Sequence, residues 1–184
     1  MPRSLQGNCL LASPFMEDPN FYRAVVYLVR HNDDHAFGLI LNRPTDFTLE
    51  KVVSIVCDLK CSHRGPLYCG GPVDGPLVAL HDCPEIGGEE CVDGLKLCGN
   101  QDELKKLFVI PDARLKLFDG FAGWGPGQLE DELETGSWLV SDIDADLVLS
   151  DDTDIWENLV RRIGQNILAS DDKISDCPID PQWN

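Results

Sequence analysis

Apolar side chains come in short blocks along this chain, and the spacing within each block separates strands from helices. Cys9 to Ser13 reads as a short strand, followed by an irregular loop from Pro14 to Phe21 in which Asp18-Pro19-Asn20 is turn chemistry. Ala24 to Val29 is almost continuously apolar, as a central strand covered on both faces must be. The polar turn His31 to His35 leads into a second apolar run, Ala36 to Leu41, so the two runs form an antiparallel hairpin that Asn42-Arg43-Pro44 ends. Arg23 and Asn42 therefore meet at the open end of the hairpin, and His31 stands at the turn.

Further on, Thr48 caps a helix to about Leu59, with Leu49, Val52, Val53 and Val56 on one face. Leu77 to Leu80 is a strand ending at His81, and the Gly-, Pro- and acid-rich stretch from Asp82 to Asp93 reads as a long flexible surface loop. Asn100 and Glu103 have capping-box spacing and open a helix through about Phe108, which Pro111 stops. Arg114 to Phe118 alternates basic and apolar side chains, the pattern of a half-exposed strand. Gln128 to Thr135 is a short acidic helix closed by Gly136, and Ser137 to Val140 and Leu147 to Leu149 are strand candidates. Asp154 and Glu157 repeat the capping signal before a helix whose Ile155, Leu159 and Ile163 share a face ahead of Gly164. Strands outnumber helices without alternating regularly with them, which predicts an α+β fold in one domain over residues 1–169, with a loosely attached acidic tail at 170–184.

Charge narrows the function. Thirty-two acidic side chains against 15 basic ones leave a net charge of −17. Such a field repels polyanions, so direct nucleic-acid binding is disfavoured, and anionic membrane surfaces with it. The short basic clusters, Lys105-Lys106, Arg114 with Lys116, and Arg161-Arg162, read as solvated faces. The apolar stretches match neither a secretory signal nor a membrane span, so the expected setting is the cytoplasm, with the eight cysteines as reduced, mostly buried thiols.

A set of ordered matches resembles the YqgE/AlgH family of bacterial proteins. It runs through Gly7, Leu10-Leu11-Ala12, Pro14, Met16, Asp18-Pro19, Phe21, Arg23, Val25-Val26 and His31 to Ala36, Gly38-Leu39-Ile40 and Asn42-Arg43-Pro44. It resumes at Gly70-Gly71-Pro72-Val73, Leu80-His81, Gly123-Trp124, Gly127-Gln128-Leu129-Glu130, Trp138-Leu139, Trp156 and Gly164. The resemblance implies an α+β fold with a mixed, largely antiparallel coiled sheet flanked by helices, and a label of transcriptional regulator without a demonstrated reaction. His35 departs from the family's usual Gly at that position.

Candidate chemistry centres on the Gly-rich loop Gly123 to Gln128 and on the hairpin's open end. Arg23, Asn42, Arg43, Trp124 and Gln128 could border one polar cleft for a small ligand or a partner segment, or else pin strand ends, and His81 joins them as a candidate binding residue. The acids at Glu130 to Glu132 oppose phosphate binding at the helix start after Gly127. Cys57, Cys61, His63 and Cys69 are soft ligands within a short span, but paired knuckles are missing, so neither a metal nor a cofactor is called for. Nucleophile-elbow, phosphate-loop, zinc-protease and dinucleotide motifs are absent. The first reading is thus a non-enzymatic binding protein, with a hydrolase using His81 or His31 as acid or base, and a DNA-binding regulator, as alternatives.

Overall fold

The computed structural model describes residues 4–92 and 94–174. In chain order the elements are β1 (Cys9–Ala12), β2 (Val25–His31), β3 (Ala36–Ile40), β4 (Pro44–Thr48), α1 (Leu49–Cys57), β5 (Pro66–Cys69), β6 (Val78–His81), β7 (Glu89–Glu90) and β8 (Lys96–Cys98). They continue with α2 (Gln101–Val109), β9 (Leu115–Asp119), β10 (Ala122–Trp124), α3 (Gln128–Glu134), β11 (Trp138–Ser141), α4 (Ala145–Val148) and α5 (Ile155–Ile174). The fold is α+β, but its strands divide into two sheets where one was expected.

The first sheet has the order β10-β3-β2-β1-β11 and is antiparallel throughout. Its centre is the expected hairpin, with Val26 opposite Ile40 and His31 opposite Ala36. The second sheet runs β4-β5-β9-β6-β8-β7, and only β5 and β9 pair in parallel. Side-chain alternation places Leu11, Val25, Tyr27, Leu39, Tyr68, Leu80 and Phe118 in the core that the two sheets share with α5. Helices α1 and α2 cover the other face of the second sheet through Val53, Leu104, Leu107 and Phe108. The other face of the first sheet is closed by Leu129 of α3, Trp124 and Trp138.

Several local expectations changed under tertiary contacts. The segment 147–149 belongs to a helical turn, because Asp144 caps Leu147 and turns the chain at that point. Helix α5 passes straight through Gly164 and continues over 170–174, and the rest of the expected tail lies outside the described residues. Asn100 caps α2 as its sequence implies, but Glu103 does not reach back to complete the box. Its carboxylate instead accepts from Gly87 N at 3.1 Å and pairs with Lys106 at 2.6 Å. In the 82–93 stretch, Cys83 and Ile86 are buried, and Lys96 Nζ donates to the carbonyls of Cys83, Pro84 and Ile86.

Lys116 is the largest departure. Both faces of the second sheet are covered, so the alternation in β9 selects between two buried layers and leaves no solvent face. Lys116 falls on the inner layer beside Phe118 and is 2% exposed. All seven cysteines among the described residues are free thiols, with Cys9, Cys61, Cys83 and Cys98 buried. No helix among the described residues is long and apolar enough to cross a membrane.

Candidate functional site

The hairpin geometry brings Arg23, Asn42 and Arg43 together, and all three are engaged by one loop, residues 13–23. Asn42 Nδ2 donates to Arg23 O at 2.9 Å, and its Oδ1 accepts from Val25 N at 3.0 Å, so this side chain fixes where β2 begins. The Arg43 guanidinium donates to the carbonyls of Asn20 and Tyr22. Arg23 pairs with Glu157 at 2.9 Å and lies over the rings of Tyr22 and Trp156, at 5.4 and 5.2 Å from their centroids. Its backbone sits at φ 53°, left-handed and unfavourable for a side chain of this kind. Trp156 in turn donates to Ala12 O at 2.8 Å, tying α5 to the strand that leads into the loop.

The middle of the loop is anchored on the outer face of the first sheet. Phe21 stands 5.3 Å from Trp138, edge to face, and 6.2 Å from Trp124, stacked. Both indoles donate to the same oxygen, Glu132 Oε2, at 2.9 Å from Trp124 and 2.7 Å from Trp138. Gln128 completes the arrangement, donating to Glu132 Oε1 at 2.9 Å while accepting from Gly125 N at 3.1 Å. Five of the six expected binding residues are thus connected to one loop: Arg23, Asn42 and Arg43 directly, Trp124 through Phe21, and Gln128 at one remove through Glu132, which the indoles share.

None of them lines the four hollows found among the described residues. Surface hollows of about 570, 310, 300 and 180 Å³ are lined by other residues. Beside the exposed polar residues Glu17, Asp18 and Asn20, the pinned loop displays two aromatic side chains, with Phe15 89% and Tyr22 55% exposed. Sequence reasoning missed both, since a single aromatic in a loop carries no periodic signal. The available clue was their position on either side of Asp18-Pro19-Asn20, in a segment with turn chemistry at its centre.

His81 lies elsewhere, fully buried at the end of β6, with neither ring nitrogen hydrogen-bonded among the described residues. Burial first, and then Lys96, lower its pKa and keep the imidazole neutral near pH 7. His31 is also committed. Its Nδ1 accepts from Leu5 N at 2.9 Å, so Nε2 carries the proton toward Glu130 Oε1 at 2.8 Å. His63 Nε2 bonds to Leu107 O at 3.0 Å, and among the described residues no three His, Cys, Asp or Glu side chains converge to hold a metal ion. Several members of the basic clusters are paired within the chain. Arg114 is held by Asp82 and Asp146, Lys106 by Glu103, and Arg162 by Ser141 and the Asp142 carbonyl.

Buried Lys116 is satisfied by main chain, donating to Leu41 O at 3.0 Å and Ser150 O at 2.5 Å, and stands 4.2 Å over the Tyr68 ring. Tyr68 donates to Asp151 at 2.8 Å. Burial lowers the lysine to about 8, opposed by Asp151 and Asp152. Between roughly that value and its ordinary 10.5, the unfolded chain holds a proton that the folded chain has released, so raising pH through this window relieves the burial cost. Below pH 8 the cost is felt in full. The stability of the parent relative to Lys116→Met is therefore expected to rise by about 3 kcal/mol from pH 7 to 10.5 in urea titrations. Buried Cys9, Tyr27 and Tyr68 and half-buried Cys91 pull the other way in alkali, but both proteins share them. Parallel curves would refute the assignment.

The family model described as AlgH-like matches residues 9–168. A UPF0301 protein of Ruegeria pomeroyi is 35% identical over 173 residues, covering 89% of this chain and 94% of its own length. One from Streptomyces avermitilis is 36% identical over 192 residues, covering 98% and 96% respectively. The solution structure of the AlgH protein from Pseudomonas aeruginosa superposes with a TM-score of 0.73 at 30% identity, covering 89% of this chain and 91% of that one. The match spans the loop, both sheets and the start of α5, and the chain accordingly belongs to the AlgH-like family.

Proposed function

We propose that this is a non-enzymatic cytoplasmic protein that recognises a protein partner through the loop 13–23, and that any regulatory output passes through that partner. The observation that carries this reading is an almost fully exposed Phe15, with Tyr22, on a loop tied down by Arg43, Asn42 and Phe21. Exposed aromatic surface is unfavourable in water, and a loop already fixed loses little conformational entropy when it docks. Aromatic anchors are the side chains on which binding energy concentrates. The left-handed Arg23 fits this role, since it holds the loop in a conformation the chain would not adopt alone. The partner offers an apolar recess, because the loop supplies aromatic faces while Arg23 and Arg43 are occupied within the chain.

A hydrolytic reading has less support. His81 is sealed from solvent, and both nitrogens of His31 are in use. The test compares the parent with Phe15→Ser/Tyr22→Ser as immobilised baits in lysate of the source cells, after checking that the melting temperatures agree. A partner retained by the parent is expected to fall by about tenfold or more on the variant, the loss of one or two aromatic anchors. Equal retention of every partner on the two baits defeats the proposal.

A further inference from the structure

We infer that the α1–α2 face binds a second copy of this chain, making an isologous dimer. Three observations converge there, and none involves the recognition loop. First, the two most exposed of the large aliphatic side chains among the described residues stand on this layer: Ile55 is 72% and Val56 62% exposed on α1, with Phe47 just before the helix and Val109 at the end of α2 also exposed. Second, a hollow of about 310 Å³ opens between the helices, lined by Val56, Pro76, Leu77, Leu104 and Phe108, with Lys105 at its rim. It is large enough for an aliphatic side chain and mostly apolar. Third, segments 47–64 and 100–112 carry five basic and five acidic side chains, in a chain whose total is −17.

The charge decides the occupant. Two copies of so acidic a chain repel one another over most approaches, and a face without net charge is where that repulsion is weakest. The same face carries a knob and a hole. Ile55 is exposed and directly precedes Val56, which lines the recess, so a two-fold axis through α1 would let the Ile55 of each copy enter the recess of the other, satisfying both contacts with one rotation. An acidic or basic partner would find no complementary field here, whereas a second copy brings a matching neutral, apolar surface. Lys51, over the Phe47 ring at 5.6 Å, keeps its ammonium at the edge of this patch.

The experiment is sedimentation equilibrium on the full chain, from about 1 to about 500 µM, where mass action shifts a dimer visibly. It is run at about 0.05 and 0.5 M salt, because added salt shortens the reach of the residual repulsion. A monomer–dimer equilibrium that tightens with salt is expected. Ile55→Glu should weaken it about 30-fold or more, the effect of placing a carboxylate at a central anchor. Circular dichroism and melting temperature of the monomer should not change, since Ile55 is solvent-exposed. Phe15→Ser, on the remote loop, should leave dimerisation as it is, which separates this inference from the loop's role. A parent that stays monomeric at every concentration and salt overturns the proposal, as does a dimer that Ile55→Glu leaves intact.

Discussion

Gly71→Ala is expected to lower the unfolding free energy by about 4 kcal/mol or more, a large share of the total stability of a domain. The chain turns out of β5 at Gly70-Gly71 and passes directly against the segment that joins β9 to β10. A Cβ on Gly71 would lie 2.1 Å from the carbonyl carbon of Phe121 and 2.2 Å from its oxygen, and one on Gly70 would lie 2.2 Å from Gly120 O. These neighbours are backbone, so no rotamer can relieve the overlap. The crossing also couples the two sheets. Ile40 N donates to Gly70 O at 2.9 Å, Gly70 N donates to Asp119 O at 2.8 Å, and Val73 bridges Phe121. Urea titration followed by circular dichroism measures the loss, with Gly94→Ala as control, where nothing lies within 4 Å of an added Cβ. The control carries its own modest strain from φ 79°, so Gly71→Ala must exceed it clearly. Equal losses in the two variants would mean that the crossing is less tightly packed than described.

Removing the carboxylate at Glu132 is expected to be the next most damaging single change. Glu132→Ala strips the acceptor from two buried indoles at once, leaving Trp124 and Trp138 with unpaired N–H groups, for a loss of about 3 kcal/mol. Glu132→Gln keeps one side-chain oxygen, which can still take an indole proton, and should cost about 1 kcal/mol. Phe21 rests on these two rings, so the alanine variant also loosens the loop 13–23. Protease cleavage within 13–23 should become faster in Glu132→Ala than in a variant of matched stability mutated elsewhere. An alanine variant as stable as the parent would contradict the shared-acceptor geometry.

Much of the architecture was legible because local chemistry and global fold agree. Thr48 and Asn100 cap the helices they precede, and the apolar runs 24–29 and 36–41 pair as a hairpin, whose register shifts between Leu28 and Arg30. Arg23 and Asn42 meet because an antiparallel pair must close at its open end. What could not be read depends on the second layer. Lys116 looks like a solvated strand residue until a second sheet covers it, and its ammonium is satisfied by carbonyls 34 and 75 residues away in sequence. Segment 147–149 has the composition of a strand but is turned by a cap three residues upstream of Leu147. The residues expected to border a cleft line none of the hollows described above, for a related reason. Asn42 and Arg43 bond to backbone of the loop 13–23, Arg23 pairs with Glu157, and Trp124 and Gln128 share the Glu132 carboxylate, and spacing along the chain does not reveal which polar groups are already spoken for.

The buried thiols give the fold an unplanned timekeeper. Burial pushes the Cys9 thiol far up and holds Cys91 at about 11, so neither supplies much thiolate at neutral pH while the molecule is closed. An alkylating reagent therefore reaches Cys9 chiefly in molecules whose first sheet has come apart. Its rate of modification counts openings without any engineered label.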